Sequence, residues 1–271
     1  MKKQLIFLFA FMICTTALGA QQAAPNKQIT PKPATGEEKL EERQKKITYE
    51  DHLLQDWPNL ARYREANAKL PARGKNETRV IFMGDSITEG WSSPQNGGFF
   101  PGKPYINRGI SGQTTPQMLL RFRSDVVNLH PQVVVIMGGT NDIAGNTGVI
   151  PLEETEGNLA SMAELAHVNG IRVILCSVTP VSDSMVTPEG RPMLQTDRRP
   201  PQTILELDAW LKKYAADHGH IYLNYFAVMA DEKGSLKNEM TMDGLHPNAS
   251  GYSVMAPLAQ AAIDEAIKAK P

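Results

Sequence analysis

The chain has 271 residues, with 28 Lys and Arg set against 29 Asp and Glu for a formal net charge of -1. That balance excludes the basic face by which a protein grips nucleic acid, and an apolar content of 41% excludes a disordered acidic chain. The length suits a single α/β domain with a full-sized core.

Met1 to Ala20 has the makeup of a secretory signal. Lys2 and Lys3 form the positive start, Leu5 to Ile13 the apolar run, and Ala17-Leu18-Gly19-Ala20 the small residues for cleavage. The run falls short of the ~20 apolar residues that a spanning helix needs. Removal of 1–20 and export to the periplasm or beyond are therefore expected, with no stable membrane insertion afterwards. Cys14 lies within this segment and follows Ile13, not the small residue expected before a lipid-attachment cysteine. Residues 21–46 are rich in Gln, Pro, Lys and Glu and read as a flexible leader. The rest, 47–271, is expected to fold as one domain.

Along that domain Leu60, Tyr63, Ala66 and Leu70 recur at helical spacing within Trp57 to Leu70. Short apolar runs then alternate with longer amphipathic ones. Arg79 to Met83, Tyr105 to Asn107, Val133 to Met137, Val173 to Val178 and Ile221 to Leu223 read as strands. Helices are expected from Thr115-Pro116, where proline suits a first turn, over Glu153 to Val168, over Ile204 to Ala216 and over Tyr252 to Ala269. The middle strands are apolar throughout, so both their faces are covered. Strand–helix alternation of this kind gives a three-layer, doubly wound parallel sheet flanked by helices, in the flavodoxin manner. Ser182 to Pro201 is left as a long polar loop after a strand end, bordering the expected cleft. Cys176 lies in an apolar strand and, alone in the mature chain, cannot staple the fold. It reads as buried and inert.

Ligands of such sheets bind at the carboxyl ends of the strands, and there the sequence repeatedly sets polar residues and glycines. Gly84-Asp85-Ser86 follows the first strand, Asn107-Arg108-Gly109 the second and Gly138-Gly139-Thr140-Asn141-Asp142 the third. Asp243-Gly244-Leu245-His246-Pro247 precedes the last helix. A serine hydroxyl is a weak nucleophile until an imidazole takes its proton, and the imidazole needs a carboxylate to orient it.

Gly84-Asp85-Ser86-Ile87-Thr88, Gly109, Gly139-Thr140-Asn141-Asp142 and Asp243-Gly244-Leu245-His246-Pro247 together resemble, in order and approximate spacing, the four blocks of the SGNH hydrolases, also called GDSL esterases and lipases. The resemblance spans about residues 79–260. It is nearest to the branch of platelet-activating-factor acetylhydrolase subunits and carbohydrate acetylesterases. It implies Ser86 as nucleophile, His246 as general base and Asp243 as the orienting acid. It also implies an oxyanion hole of the Ser86 and Gly109 N–H groups with the Asn141 amide, and no metal or other cofactor. The substrate it implies is a small ester, with acetyl groups on carbohydrate preferred, and longer acyl chains on a lysophospholipid or thioester as the alternative.

Plainer readings stand beside these. Ser86-Ile87-Thr88-Glu89 fits a capping box, and Gly139 to Asp142 fits a turn. Asp85 and Asp142 read as structural. Trp91, Arg198 and Arg199 are candidate substrate contacts, with a solvated charge pair as the alternative for the two arginines. A metal-dependent phosphoesterase would instead use Asp85, Asn141, Asp142 and His246 as ligands. A binding module that kept the fold and lost turnover is the third class.

Overall fold

The computed structural model describes residues 36–75 and 77–268. The expected signal segment, 1–20, and the start of the expected leader lie outside the described residues. The chain divides between Lys46 and Ile47, and the sheet lies wholly in the second unit. Residues 36–46, expected as leader, belong to helix α1, Gly36–Gln55. Their low apolar content suggested an unfolded segment. The same Glu, Lys, Arg and Gln residues are good straight-chain helix formers, however, and Glu41 pairs with Lys45 one turn on at 2.8 Å.

Five parallel strands form the sheet: β1 Val80–Gly84, β2 Tyr105–Gly109, β3 Val133–Met137, β4 Arg172–Cys176 and β5 Ile221–Leu223. Their order is β2-β1-β3-β4-β5. The chain leaves β1 toward one edge and returns to β1's other side for β3, so the switch point lies at β1. Crevices open at such points. Alternate side chains enter two cores. Ile81, Met83, Val134, Ile136, Val173 and Leu175 face α4 (Thr115–Asp125), α6 (Leu152–Val168) and α7 (Pro201–Asp217). Val80, Phe82, Val133, Val135, Ile174 and Cys176 face α9 (Ala249–Lys268) and its neighbours. This is the three-layer α/β fold expected from the alternation of runs. Among the described residues no helix is long and apolar enough to cross a membrane.

The first expected helix is shorter than its pattern. Only Arg64–Lys69, α2, is helical, because the Asp56 carboxylate accepts the N–H groups of Leu60 and Ala61, both at 2.8 Å, and holds the preceding stretch in turns. Short helices also follow three strands: α3 Ser86–Gly90, α5 Thr140–Ile143 and α8 Phe226–Met229.

Trp91 does not line the cleft, contrary to the expectation. It is 3% exposed and packs among Phe82, Phe99, Phe100 and Tyr252. The reason is helical geometry: Ile87 and Trp91 lie four apart, on the face of the α3 turn that looks into the second core. Truncating Trp91 to alanine is expected to cost about 3–5 kcal/mol of unfolding free energy, read from urea titrations; a change under 1 kcal/mol would contradict this packing.

Candidate active site

Ser86 is placed by the end of β1. Asp85 caps α3: its Oδ1 accepts the Ile87 N–H at 2.9 Å. The capping role considered for Ser86 is therefore filled by its neighbour, and the Ser86 hydroxyl is left for His246 Nε2, 3.0 Å away. Gly84 admits no side chain, since an added Cβ would overlap Thr88 and come 2.9 Å from the Met137 carbonyl. Asp85 itself is 1% exposed. Burial pushes its carboxyl up to about 6, against the opposing pull of the Ile87 N–H.

The base and its acid share one turn. Asp243 Oδ1 accepts the N–H groups of Leu245 and His246 at 2.9 and 2.7 Å, while Oδ2 meets His246 Nδ1 at 2.6 Å. One carboxylate thus both folds the turn and orients the ring. Burial alone would raise the Asp243 carboxyl, but the hydrogen bonds from the His246 ring and backbone outweigh it and bring it down to about 2. The same hydrogen bond raises the His246 imidazole above its ordinary value, with burial opposing. Gly244 has φ +80°, and a Cβ there would overlap the Ser182 carbonyl, so this position requires glycine. Thr241 closes the turn from beneath: its hydroxyl donates to the His246 carbonyl at 2.8 Å and accepts the Gly244 N–H at 3.0 Å.

Asn141 sits in the first turn of α5, 3% exposed, and its Nδ2 donates to the Gln113 carbonyl at 3.0 Å. The second Nδ2 hydrogen has only a long contact, 3.4 Å, with Asp85 Oδ2. The Ser86 N–H makes no hydrogen bond among the described residues.

Gly109 is different, and the expectation for it is corrected. Its N–H is spent on Asn107 Oδ1 at 2.8 Å. It lacks a side chain because an added Cβ would overlap the Glu89 N–H and come 2.7 Å from the Asp85 carbonyl. Gly109 is a packing glycine that lets β2 lie against α3. The glycine with a free N–H is Gly112, three residues on, which has φ +77° and no hydrogen bond from its N–H among the described residues. It immediately precedes Gln113, the residue whose carbonyl touches Asn141. With the strand read as ending at Asn107 both glycines stood in the loop, whereas β2 runs on to Gly109 and leaves Gly112 beyond it.

Arg198 and Arg199 part company. Arg198 is exposed and donates to the Ala144 carbonyl and Asn146 Oδ1, both at 2.9 Å. Arg199 is 4% exposed, so the solvated alternative fails for it. It donates to Thr140 Oγ1 at 3.1 Å, Gln195 Oε1 at 3.1 Å and Asn141 Oδ1 at 3.4 Å. Asp142, 2% exposed, accepts from the Thr115 N–H and hydroxyl, the latter at 2.5 Å. Its carboxylate is thus turned toward α4 and not toward His246. Among the described residues no group of three or more His, Cys, Asp or Glu side chains is placed to hold a metal ion.

Comparison with known proteins agrees in outline. The model of the GDSL-like Lipase/Acylhydrolase family matches residues 82–254. A solved GDSL-like lipase from Bacteroides thetaiotaomicron is 45% identical, with a TM-score of 0.69 over 77% of this chain and 98% of that one. Among curated proteins, an acetylxylan esterase of Xylanibacter ruminicola is 26% identical over 256 residues, covering 79% of this chain and 48% of that protein. An uncharacterized lipoprotein of Bacillus subtilis is 38% identical over 79 residues, 28% of this chain and 32% of that one. The chain thus spans at most about half the length of these two curated relatives.

Asp243 raises the His246 pKa while burial and the Arg199 charge lower it, with Asp85 adding to Asp243. Replacing Asp243 by Asn is therefore expected to move the ring's titration to lower pH, measured by NMR of the imidazole nitrogens. An unmoved or higher pKa would show that the carboxylate does not govern the ring.

Proposed function

The chain belongs to the GDSL-like lipase/acylhydrolase family, and on that premise we propose that it is an exported serine esterase that removes acetyl groups from carbohydrate esters. The observation that carries this reading is the unbroken line from Ser86 Oγ to His246 Nε2 at 3.0 Å and from His246 Nδ1 to Asp243 Oδ2 at 2.6 Å. That line is what a general-base-activated hydroxyl requires.

In this mechanism Ser86 Oγ attacks the ester carbonyl carbon as its proton passes to His246 Nε2. The oxyanion of the tetrahedral intermediate faces the N–H groups of Ser86 and Gly112 and the Asn141 Nδ2. Asp243 stabilises the imidazolium. His246 then gives the proton to the departing alkoxide, which leaves as the alcohol with the acyl group on Ser86. Water follows: His246 takes its proton, hydroxide attacks the acyl carbon, and the carboxylic acid leaves as Ser86 Oγ regains the proton. Each fixed donor to the oxyanion contributes about 3–4 kcal/mol to the transition state.

The acetyl-carbohydrate preference draws support from the acetylxylan esterase among the relatives. Export draws on the pattern of 1–20 and on the lipoprotein relative. A second reading, hydrolysis of longer acyl chains, is favoured by Met242, which stands 71% exposed next to Asp243.

A panel of one alcohol esterified with acetyl, butyryl, octanoyl and palmitoyl groups, run beside acetylated xylo-oligosaccharides, separates the two. Turnover is expected to be fastest on acetyl esters and to fall with chain length; a preference for octanoyl or palmitoyl esters would establish the second reading. Ser86→Ala is expected to lower kcat on the order of 10⁶-fold and to abolish the covalent adduct of a fluorophosphonate seen by intact mass. Retained activity in that variant would refute the serine mechanism.

A further inference from the structure

We propose that Arg199 is a positioning residue for the reaction, which fixes the Asn141 side chain with its NH2 toward the oxyanion and its oxygen away from it. The proposal rests on the esterase reading above and concerns a residue outside the serine, acid, base and oxyanion groups.

An asparagine amide has two nearly identical ends, and only its partners decide which way it faces. Around Asn141 the Arg199 and Gln113 partners act in one direction only, and Asp85 Oδ2, 3.4 Å from Nδ2, favours the same orientation. A guanidinium has donors and no acceptor, so the atom of Asn141 that faces Arg199 Nη2, at 3.4 Å, must be Oδ1. A backbone carbonyl accepts and cannot donate, so the atom at 3.0 Å from the Gln113 carbonyl must be Nδ2. A flipped amide would set NH2 against the guanidinium and oxygen against the carbonyl, losing both bonds in a buried place where unmet polar groups are costly.

Arg199 is itself held. Its Nε donates to Thr140 Oγ1 and its Nη1 to Gln195 Oε1, both at 3.1 Å, and Gln195 in turn donates through Nε2 to the Asp243 carbonyl at 3.0 Å. The guanidinium is thereby referenced at one end to the residue before Asn141 and at the other to the turn that carries the acid and base. Its charge also lies close enough to Asp85 and Asp243 to be favoured by both, which offsets part of the cost of its burial. Lysine would offer a single charged point where three separate acceptors are met by three nitrogens.

The test is a double-mutant cycle on acetyl-ester hydrolysis with Arg199→Met, Asn141→Ala and the pair, with thermal melts to show that each chain is folded. Arg199→Met is expected to lower kcat roughly ten- to a hundredfold, a share of what a lost oxyanion donor costs, while KM moves by less than about threefold. In the Asn141→Ala background the same substitution is expected to cost less than about threefold more, because the group it positions has gone. Equal losses in both backgrounds, or an unchanged kcat, would overturn the proposal. If Arg199→Met does not fold, Arg199→Lys takes its place in the cycle with the same expectations and the same overturning outcomes. Fluorophosphonate labelling of the unmutated protein separates the two levels. An unlabelled Ser86 defeats the esterase reading itself, whereas labelling with an Arg199 effect that ignores Asn141 defeats the positioning role alone.

Discussion

A single guanidinium, fully buried, holds together the strand ends on which the site is built. Arg121, on α4, donates to the carbonyls of Gly84 and Arg108 at 2.8 Å each and to Gln113 Oε1 at 2.5 Å, with Asp125 Oδ2 at 3.2 Å as its counter-charge. Gly84 ends β1 just before Ser86, Arg108 lies at the end of β2, and Gln113 carries the carbonyl that Asn141 touches. Three segments distant in sequence are therefore fixed relative to one another by one planar group. Such an ion is expensive to bury unless nearly all its hydrogens are taken, and here they are. Asp125 passes the network on through Asn67 to the guanidinium of Arg108. The polar interior of this molecule thus serves geometry more than net stability.

On that frame the catalytic chemistry asks for little long-range accuracy. Asp243 and His246 are three residues apart and their mutual geometry is settled by a local turn. Within the triad, only the distance from that turn to Ser86 depends on the tertiary fold. It is secured on the other side by Tyr252, in α9, whose hydroxyl donates to the Ile87 carbonyl at 2.8 Å. The helix that begins just after His246 thereby grips the residue just after Ser86.

The layered sheet was legible in the sequence because five apolar runs separated by amphipathic stretches leave few other architectures. The triad segments were legible because they stand among four motif blocks in the order and approximate spacing that resemble those of the SGNH hydrolases. What was not legible depends on hydrogen-bond ownership and on helical phase. Gly109 was expected beyond its strand, where an oxyanion donor would stand, but β2 runs through it and Asn107 takes its N–H, which a sequence cannot show. Trp91 is near Ser86 in the chain, yet one helical turn points it inward. Arg198 and Arg199 are identical in type and adjacent, and only the backbone's direction at the end of their loop makes one solvent-facing and the other buried. The helix at Gly36–Gln55 was missed for another reason: charge-rich composition signals both exposure and helix propensity, and exposure was given the greater weight.

The polar segment 182–201 is anchored at both ends of its span. The Ser182 N–H donates to the Gly244 carbonyl at 2.8 Å, beside His246, and Arg199 reaches Asn141 at the other end. Between these ties the chain folds out into a small exposed hairpin, where the Thr187 N–H meets the Arg191 carbonyl at 2.8 Å. Among the described residues its tip makes no hydrogen bond to Ser86, Asp243 or His246. New residues can be spliced into that tip, or old ones exchanged, while the anchored ends keep their positions. The hairpin is therefore the part of this segment whose length and composition can drift while the residues tied at its two ends keep their places.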